Sequence, residues 1–320
     1  MDRFLITAIL IAIPTLIYIR IVISIDRFEK EPTRYLIAAF LWGALPAVIG
    51  GIILQLILNV PIQLIFGAES LGGQFITTAV NAPVTEEILK GAAVAIIYLW
   101  YRREFDGWVD GIVYGAMAGF GFAYVENILY LQGTKTWEEW GQLLLLRVIV
   151  LGFMHGFWTA LTGIGFGLAR HRHNLLAKIL LISGGLIAAM SAHLIHNGAL
   201  ILAKASGGAT LAIALWNYGF LAALMVVLGF VAADRDRKML KTYLSDEVPT
   251  VISSADYEAL CNRRSNTLAR LRVAPKQKRA FIQTAAELAQ KKFQLFKMGE
   301  ESGNSTEIAL LRKQLKQLRN

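Results

Sequence analysis

Charge and cysteine are both scarce in this chain of 320 residues. Asp, Glu, Lys and Arg make up 17% of it, against roughly 25% in average soluble domains, and there is a single cysteine, Cys261. One cysteine excludes an intrachain disulfide framework, and no Cys/His spacing suggests a structural zinc site. The sequence also lacks an internal repeat, a low-complexity tract and a His-Glu-x-x-His segment. The first absence counts against a transporter built from inverted repeats, and the last excludes the single-helix zinc motif of many metalloproteases.

What the chain has instead is apolar length. It is 55% hydrophobic with a mean hydropathy of +0.50, and runs long enough to cross about 30 Å of hydrocarbon, which takes about 20 helical residues, recur from Phe4 to Val231. The expected fold is an all-α, polytopic transmembrane bundle of about seven spans, at 4–25, 35–58, 75–100, 109–131, 143–169, 176–203 and 209–233. The first run extends beyond the h-region of a signal peptide and lacks a small-residue cleavage site, so it reads as a retained helix. Residues 1–233 then form a membrane core and residues 234–320 a basic tail.

Orientation follows from basic residues in alternate connections. One set holds Arg27, Lys30, Arg34, Arg102, Arg103, Arg170, Arg172 and Lys178, the other only Arg3, Lys135 and Lys204. The positive-inside rule places the first set in the cytoplasm, with the N-terminus outside and a cytoplasmic tail. That tail carries 18 Lys and Arg against 10 Asp and Glu. Phe281, Ala285, Leu288 and Phe296, and again Ile308, Leu311, Leu315 and Leu318, recur near helical spacing. Short amphipathic helices on a solvated or membrane-surface appendage are expected, with lipid and not nucleic acid as the neighbour.

Ionisable groups deep in a span are costly and usually face the bundle interior or water. Here they are Glu86, Glu87 and Lys90 in the third span, Glu126 in the fourth, Arg147 and His155 in the fifth, and His193 and His196 in the sixth, followed by Asn197. Residues four apart share a helix face, so Glu86 is expected to reach Lys90 and His193 to lie over Asn197. Pro83 should kink the third helix or start it just before the two glutamates. Gly111, Gly115 and Gly119 form a small-residue stripe continuing to Glu126, and Gly152, His155, Thr159, Gly163 and Gly167 form a second; such stripes let helices approach closely. Arg147 is expected to snorkel to the interface. His171 and His173 belong to a solvated loop, and Trp42, Trp100, Trp108 and Trp158 to interface or packing positions.

Taken alone, Glu86, Glu87 and Lys90 suit a buried ion pair that fixes packing about as well as they suit catalysis; two carboxylates facing one lysine tilt the balance to function. A structural hydrogen bond is nearly as good a reading of Glu126, and a satisfied core histidine a better one of a lone His155.

In order, though, these residues resemble the PrsW-type intramembrane proteases, grouped with the type II CAAX prenyl proteases. Glu86-Glu87-Ile88-Leu89-Lys90 matches a Glu-Glu-x-x-Lys motif and Phe122-Ala123-Tyr124-Val125-Glu126-Asn127 a Phe-x-x-x-Glu-Asn motif. His155 is the lone histidine of the next helix and His193-Leu194-Ile195-His196-Asn197 a His-x-x-x-Asn element; the segment from Asp26 to Pro32 also fits. The related prenyl proteases place histidine where Glu126 stands, and His196 falls outside the motifs. The resemblance implies a hydrolase of a bacterial inner membrane in which Glu86, with Glu87 and Glu126 beside it, activates water. His155 and His193 would orient that water or stabilise an oxyanion, Asn197 would donate a hydrogen bond, and Lys90 and Asn127 would support. It also suggests a single-pass membrane protein substrate, such as an anti-sigma factor. A metal-free mechanism without cofactor is favoured over zinc held by Glu86, Glu126, His155 and His193, because these lie on four helices. The rival classes are an ion-coupled transporter and a non-catalytic membrane scaffold.

Overall fold

The apolar runs are helices because nothing interrupts their backbone hydrogen bonding and lipid offers no alternative partner. In the computed structural model, which describes residues 3–26, 31–262, 275–300 and 303–319, no strand occurs among the described residues. Seven long helices follow one another: α1 (Arg3–Ile23), α2 (Thr33–Phe66), α3 (71–100), α4 (Trp108–Gln132), α5 (Trp137–Ala169), α6 (Leu175–Ile201) and α7 (Leu211–Tyr243). Six are long and apolar enough to cross a membrane; α3 is helical where the third span was expected, but Glu86, Glu87 and Lys90 sit within it. The expected segment after the first helix, from Asp26 to Pro32, lies mostly outside the described residues.

Three helices contain π-helical turns, at Gly43–Ala47 around Pro46, at Phe75–Asn81, and at Leu144–Val150. Pro83 sits in the first turn of the α-helical Ala82–Trp100, where a missing N–H is tolerated. The expected start of regular helix before the glutamates is thus observed, and the Thr85 hydroxyl lies 2.8 Å from the Asn81 carbonyl and 3.0 Å from that of Ala82. α5 also loses helical geometry at Leu151–Phe153 before resuming at Met154.

α4 is the most buried of the candidate spans and packs against α1, α2, α3 and α5. Its glycine stripe explains why. A methyl group on Gly111, Gly115 or Gly119 would overlap the carbonyl oxygen of Gly163, Thr159 or His155 respectively. The two stripes read from the sequence therefore face each other, backbone on backbone, and this contact brings His155 beside Glu126.

α7 has 33 residues, about 50 Å at 1.5 Å per residue, longer than about 30 Å of hydrocarbon. Its last third carries Asp234, Arg235, Asp236, Arg237 and Lys238. The chain divides into two units inside α7, between Val226 and Val227. The second unit gives the expected amphipathic helices of the tail a common core. Leu240, Leu244 and Ile252 pack with Phe281, Ala285 and Leu288 of α9 (Lys276–Met298) and with Ile308, Leu311 and Leu315 of α10 (Asn304–Arg319), beside the short α8 (Ser254–Cys261). Apolar faces that would each be too narrow alone bury one another. Phe296 departs from the expected stripe and is 73% exposed, because eight residues beyond Leu288 a helix has turned about 80° past the starting face.

Within this unit Glu247 is 2% exposed and accepts hydrogen bonds from Arg312 (Nη2 2.6 Å) and Lys292 (2.7 Å). Burial alone would raise its pKa; the hydrogen bonds from Arg312 and then Lys292 outweigh it and hold the carboxyl below its ordinary range.

Candidate active site

The ionisable groups of α3, α4, α5 and α6 converge in the first unit. Glu87 and Lys90 are fully buried, with Glu86, His155 and His193 at 6%, 7% and 3% exposure. Lys90 Nζ lies 2.6 Å from Glu87 Oε1 and 3.7 Å from Glu86 Oε2, so it reaches Glu86 four residues back as expected and lies closer still to Glu87 three residues back. The same ammonium is 3.2 Å from His155 Nδ1 and 4.4 Å from the centre of the Phe122 ring. Glu87 is further fixed by the Thr159 hydroxyl (3.0 Å) and by His193 Nδ1 (3.1 Å).

A second ion pair lies beside the first. Arg147 Nη2 is 2.7 Å from Glu126 Oε2, its Nε donates to Asn127 Oδ1 at 3.0 Å, and its guanidinium stacks 3.8 Å over Tyr130. This replaces the expected snorkelling arginine: lengthwise, Arg147 reaches inward to a carboxylate that would otherwise be unpaired. Glu126 Oε2 also meets His155 Nε2 at 3.0 Å. An ammonium can only donate, so His155 Nδ1 accepts from Lys90 and its Nε2–H donates to Glu126. His193, donating Nδ1–H to Glu87, keeps Nε2 as an acceptor.

Three carboxylates thus share two cations. Glu87 is matched by Lys90 and Glu126 by Arg147. Glu86 has the longer, shared ion pair with Lys90 (3.7 Å to Oε2) and one amide hydrogen bond, from Gln55 Nε2 to Oε1 at 3.2 Å, while its buried Oε2 has no hydrogen-bond partner. Gln55 on α2 was not singled out in the sequence; an amide in an apolar span was the available signal. Trp158 was also missed as a site residue. Its ring stacks on His193 at 3.9 Å and meets His155 edge-on at 4.8 Å, so it forms the wall behind both histidines.

Asn197 is not brought to the carboxylates. Its amide donates to the Thr78 carbonyl at 3.0 Å, within the π-helical turn of α3. His196 is buried near Trp158. His171 contacts the Asp106 carbonyl at 2.7 Å and is partly buried, unlike the solvated loop residue expected, while His173 is exposed. Trp42 donates to the Leu89 carbonyl.

Glu86, His155 and His193 offer ligand atoms all within 4.8 Å of one another. Two histidines and a carboxylate are the donor types of several catalytic zinc sites, and folding gathers what four separate helices had seemed to scatter. The type of the donors fits a metal; the engagement of both His155 ring nitrogens, by Lys90 and by Glu126, opposes one. Glu126 lies outside this set.

Against this geometry stand the likenesses to known proteins. The family model described as PrsW family intramembrane metalloprotease matches residues 31–232. Proteins named Protease PrsW are similar over part of the chain: that of Geobacillus kaustophilus (strain HTA426) is 30% identical over 164 residues, 49% of this chain and 65% of the relative. That of Bacillus subtilis (strain 168) is 30% identical, covering 41% and 59%, and that of Clostridioides difficile (strain 630) 35% identical, covering 41% and 51%. The chain spans about half to two thirds of the length of these curated relatives. No solved structure matches it.

Proposed function

The chain belongs to the PrsW family, and from that premise we propose that it is an intramembrane endopeptidase in which Glu86 activates water against a peptide bond of a membrane-associated protein. The observation that carries this reading is the charge mismatch: Glu86 is the one buried carboxylate of the cluster without a cation of its own. A carboxylate held in low dielectric with one oxygen outside any hydrogen bond is suited to take a proton. Water bound between Glu86 Oε2 and His193 Nε2 gives its proton to Glu86 as its oxygen attacks the scissile carbonyl carbon. The same proton passes to the amine nitrogen as the C–N bond breaks. Lys90 and Arg147 supply a positive field for the negative charge that develops. Glu87 and Glu126 act through the histidines they orient, as carboxylates do for ring donors elsewhere.

The proposed orientation puts the N-terminus outside and the 234–320 tail in the cytoplasm, supported by the distribution of basic residues. The proposed substrate is a single-pass membrane protein, an anti-sigma factor being one such, in a bacterial inner membrane. The test is reconstitution with single-pass proteins in liposomes: cleavage by the wild type and none by Glu86→Gln is expected. Ion flux that depends on Glu86, with no cleavage of any substrate, would replace the protease by a carrier.

A second reading rests on the convergence of Glu86, His155 and His193. Zinc held by these three would supply Lewis-acid activation of the water. The metal-free reading is preferred because His155 is already bound on both sides. Purified protein is expected to hold no stoichiometric zinc; about one zinc per chain, lost in His193→Ala, would reverse the choice.

A further inference from the structure

Between Ile52 and Val60 every residue of α2 is exposed except Gln55 and Asn59. The two side chains of this stretch that are turned to the bundle are both amides. Gln55 Nε2 donates to Glu86 Oε1 (3.2 Å) and reaches Thr85 Oγ1 (3.4 Å), and Asn59 Oδ1 accepts from Asn81 Nδ2 (2.8 Å). The preceding turns are anchored quite differently. Gly43 lies against the Ala118 backbone so closely that a methyl group would overlap it, and Trp42 donates to the Leu89 carbonyl. Between the anchored and the lightly held parts stand Gly50 and Gly51, a pair of the kind at which helices bend. Polar pairs between membrane helices are individually weak because each group finds other partners readily.

The spacing of the two amides points to what those partners are. Four helical residues rise about 6 Å, and the backbone of an extended chain repeats every two residues, about 6.7 Å. Gln55 and Asn59 can therefore pair with alternate peptide groups of one extended polypeptide. A peptide bond also has to leave helical geometry before water can reach its carbonyl carbon, so an extended segment is the form in which substrate meets Glu86.

We propose that residues 52–66 of α2 are the movable wall of the site, and that Gln55 is a positioning residue which holds Glu86 while the wall is closed. When the wall opens, Gln55 and Asn59 exchange Glu86 and Asn81 for the backbone of an extended substrate. This rests on the protease reading with Glu86 as base.

The test uses the full chain with Cys261→Ser, Asn59→Cys and Asn81→Cys, bridged by oxidation or a short thiol-reactive linker and released by dithiothreitol. Bridged protein is expected to lose cleavage and regain it on release. Gln55→Met, which keeps length but not the donor, should lower kcat/KM on the order of ten-fold, the worth of one hydrogen bond to the substrate backbone. Asn59→Leu should raise KM with kcat retained, a split that a merely structural role does not produce. Equal turnover of bridged and released protein overturns the moving wall, and wild-type kinetics in both single variants overturn the assignment of the amides. Normal cleavage by Glu86→Gln is a different result: it fails the protease reading itself, and this proposal with it.

Discussion

Glu86 and Glu87 are neighbours in sequence with opposite surroundings, and their amide variants should separate chemistry from folding. Glu86→Gln removes the proton acceptor while disturbing one amide contact and the longer of the two Lys90 ion pairs. Cleavage should fall by about 10²–10⁴-fold, the usual worth of general-base help, with thermal stability in detergent near wild type. Glu87→Gln leaves Lys90, 0% exposed, as a buried cation without its nearest carboxylate. Its expected cost is about 3–5 kcal/mol, read as a lower melting temperature. Arg147→Met should cost less, on the order of 2 kcal/mol, because both partners of that pair keep some exposure; Arg147→Lys should restore part of it. If Glu87→Gln proves as stable as Glu86→Gln, the assignment of matched and unmatched carboxylates is wrong. The motif letters made Glu86, Glu87 and Lys90 visible in the sequence, while Arg147 lies outside them and was expected to snorkel. The pairing of the three was not visible, because Lys90 can choose between residues three and four positions back, and only the place of His193 and Thr159 around Glu87 decides it.

The contact between α4 and α5 is the element on which the site depends. Gly119→Ala places a methyl group on the His155 carbonyl, so the helices must part or shift. Overpacking of this kind costs about 1–3 kcal/mol, while a displacement of about 1 Å at a catalytic group can cost 10²-fold in rate. Activity should therefore fall further than stability. Gly141→Ala on α5, where nothing stands within 4 Å of the added carbon, is the control and should leave both unchanged. The glycine stripes were legible because small residues at four-residue spacing have few other uses in an apolar helix. Two of the π-helical turns were not: at Phe75–Asn81 and Leu144–Val150 a carbonyl accepts from Asn197 or Tyr18 of another helix, and no local pattern records partners 119 and 130 residues away.

For the molecule as a whole, the unit that holds the site and the unit that holds the tail answer to different perturbations. Truncation after Tyr243 is expected to leave an inserted core that still cleaves, since every group of the site lies before Gly198. Complete loss of cleavage with normal insertion would assign the tail to the machinery. The second unit should be acid-sensitive by itself. Glu247 has a folded pKa held down by Arg312 and Lys292 against the effect of burial. Its contribution is present above the ordinary value of 4.5 and is lost as pH falls through the folded value. Hydrogen exchange of α9 and α10 should accelerate on acidification, and Glu247→Gln should already show that loss at neutral pH, about 1–3 kcal/mol. Reporter fusions after Tyr243 should be active only when the reporter works in the cytoplasm. The membrane helices were legible because hydrocarbon imposes one length and one composition. The tail's packing was less so, since its apolar faces come from helices separated by residues of no periodicity.

The third helix also carries a problem of timing. With Glu86, Glu87 and Lys90 in place, α3 is the long helix that does not qualify as apolar enough to enter a bilayer unaided, and its partner His193 lies 106 residues beyond Glu87. At about 5–20 residues per second of synthesis, that separation is roughly 5–20 s during which the charged helix exists before its partner does. Nascent α3 must wait in the insertion machinery or at the membrane surface until α6 arrives. Ribosome-arrested chains ending before His155 should leave α3 accessible to water-soluble reagents, and chains extended beyond Ile201 should protect it.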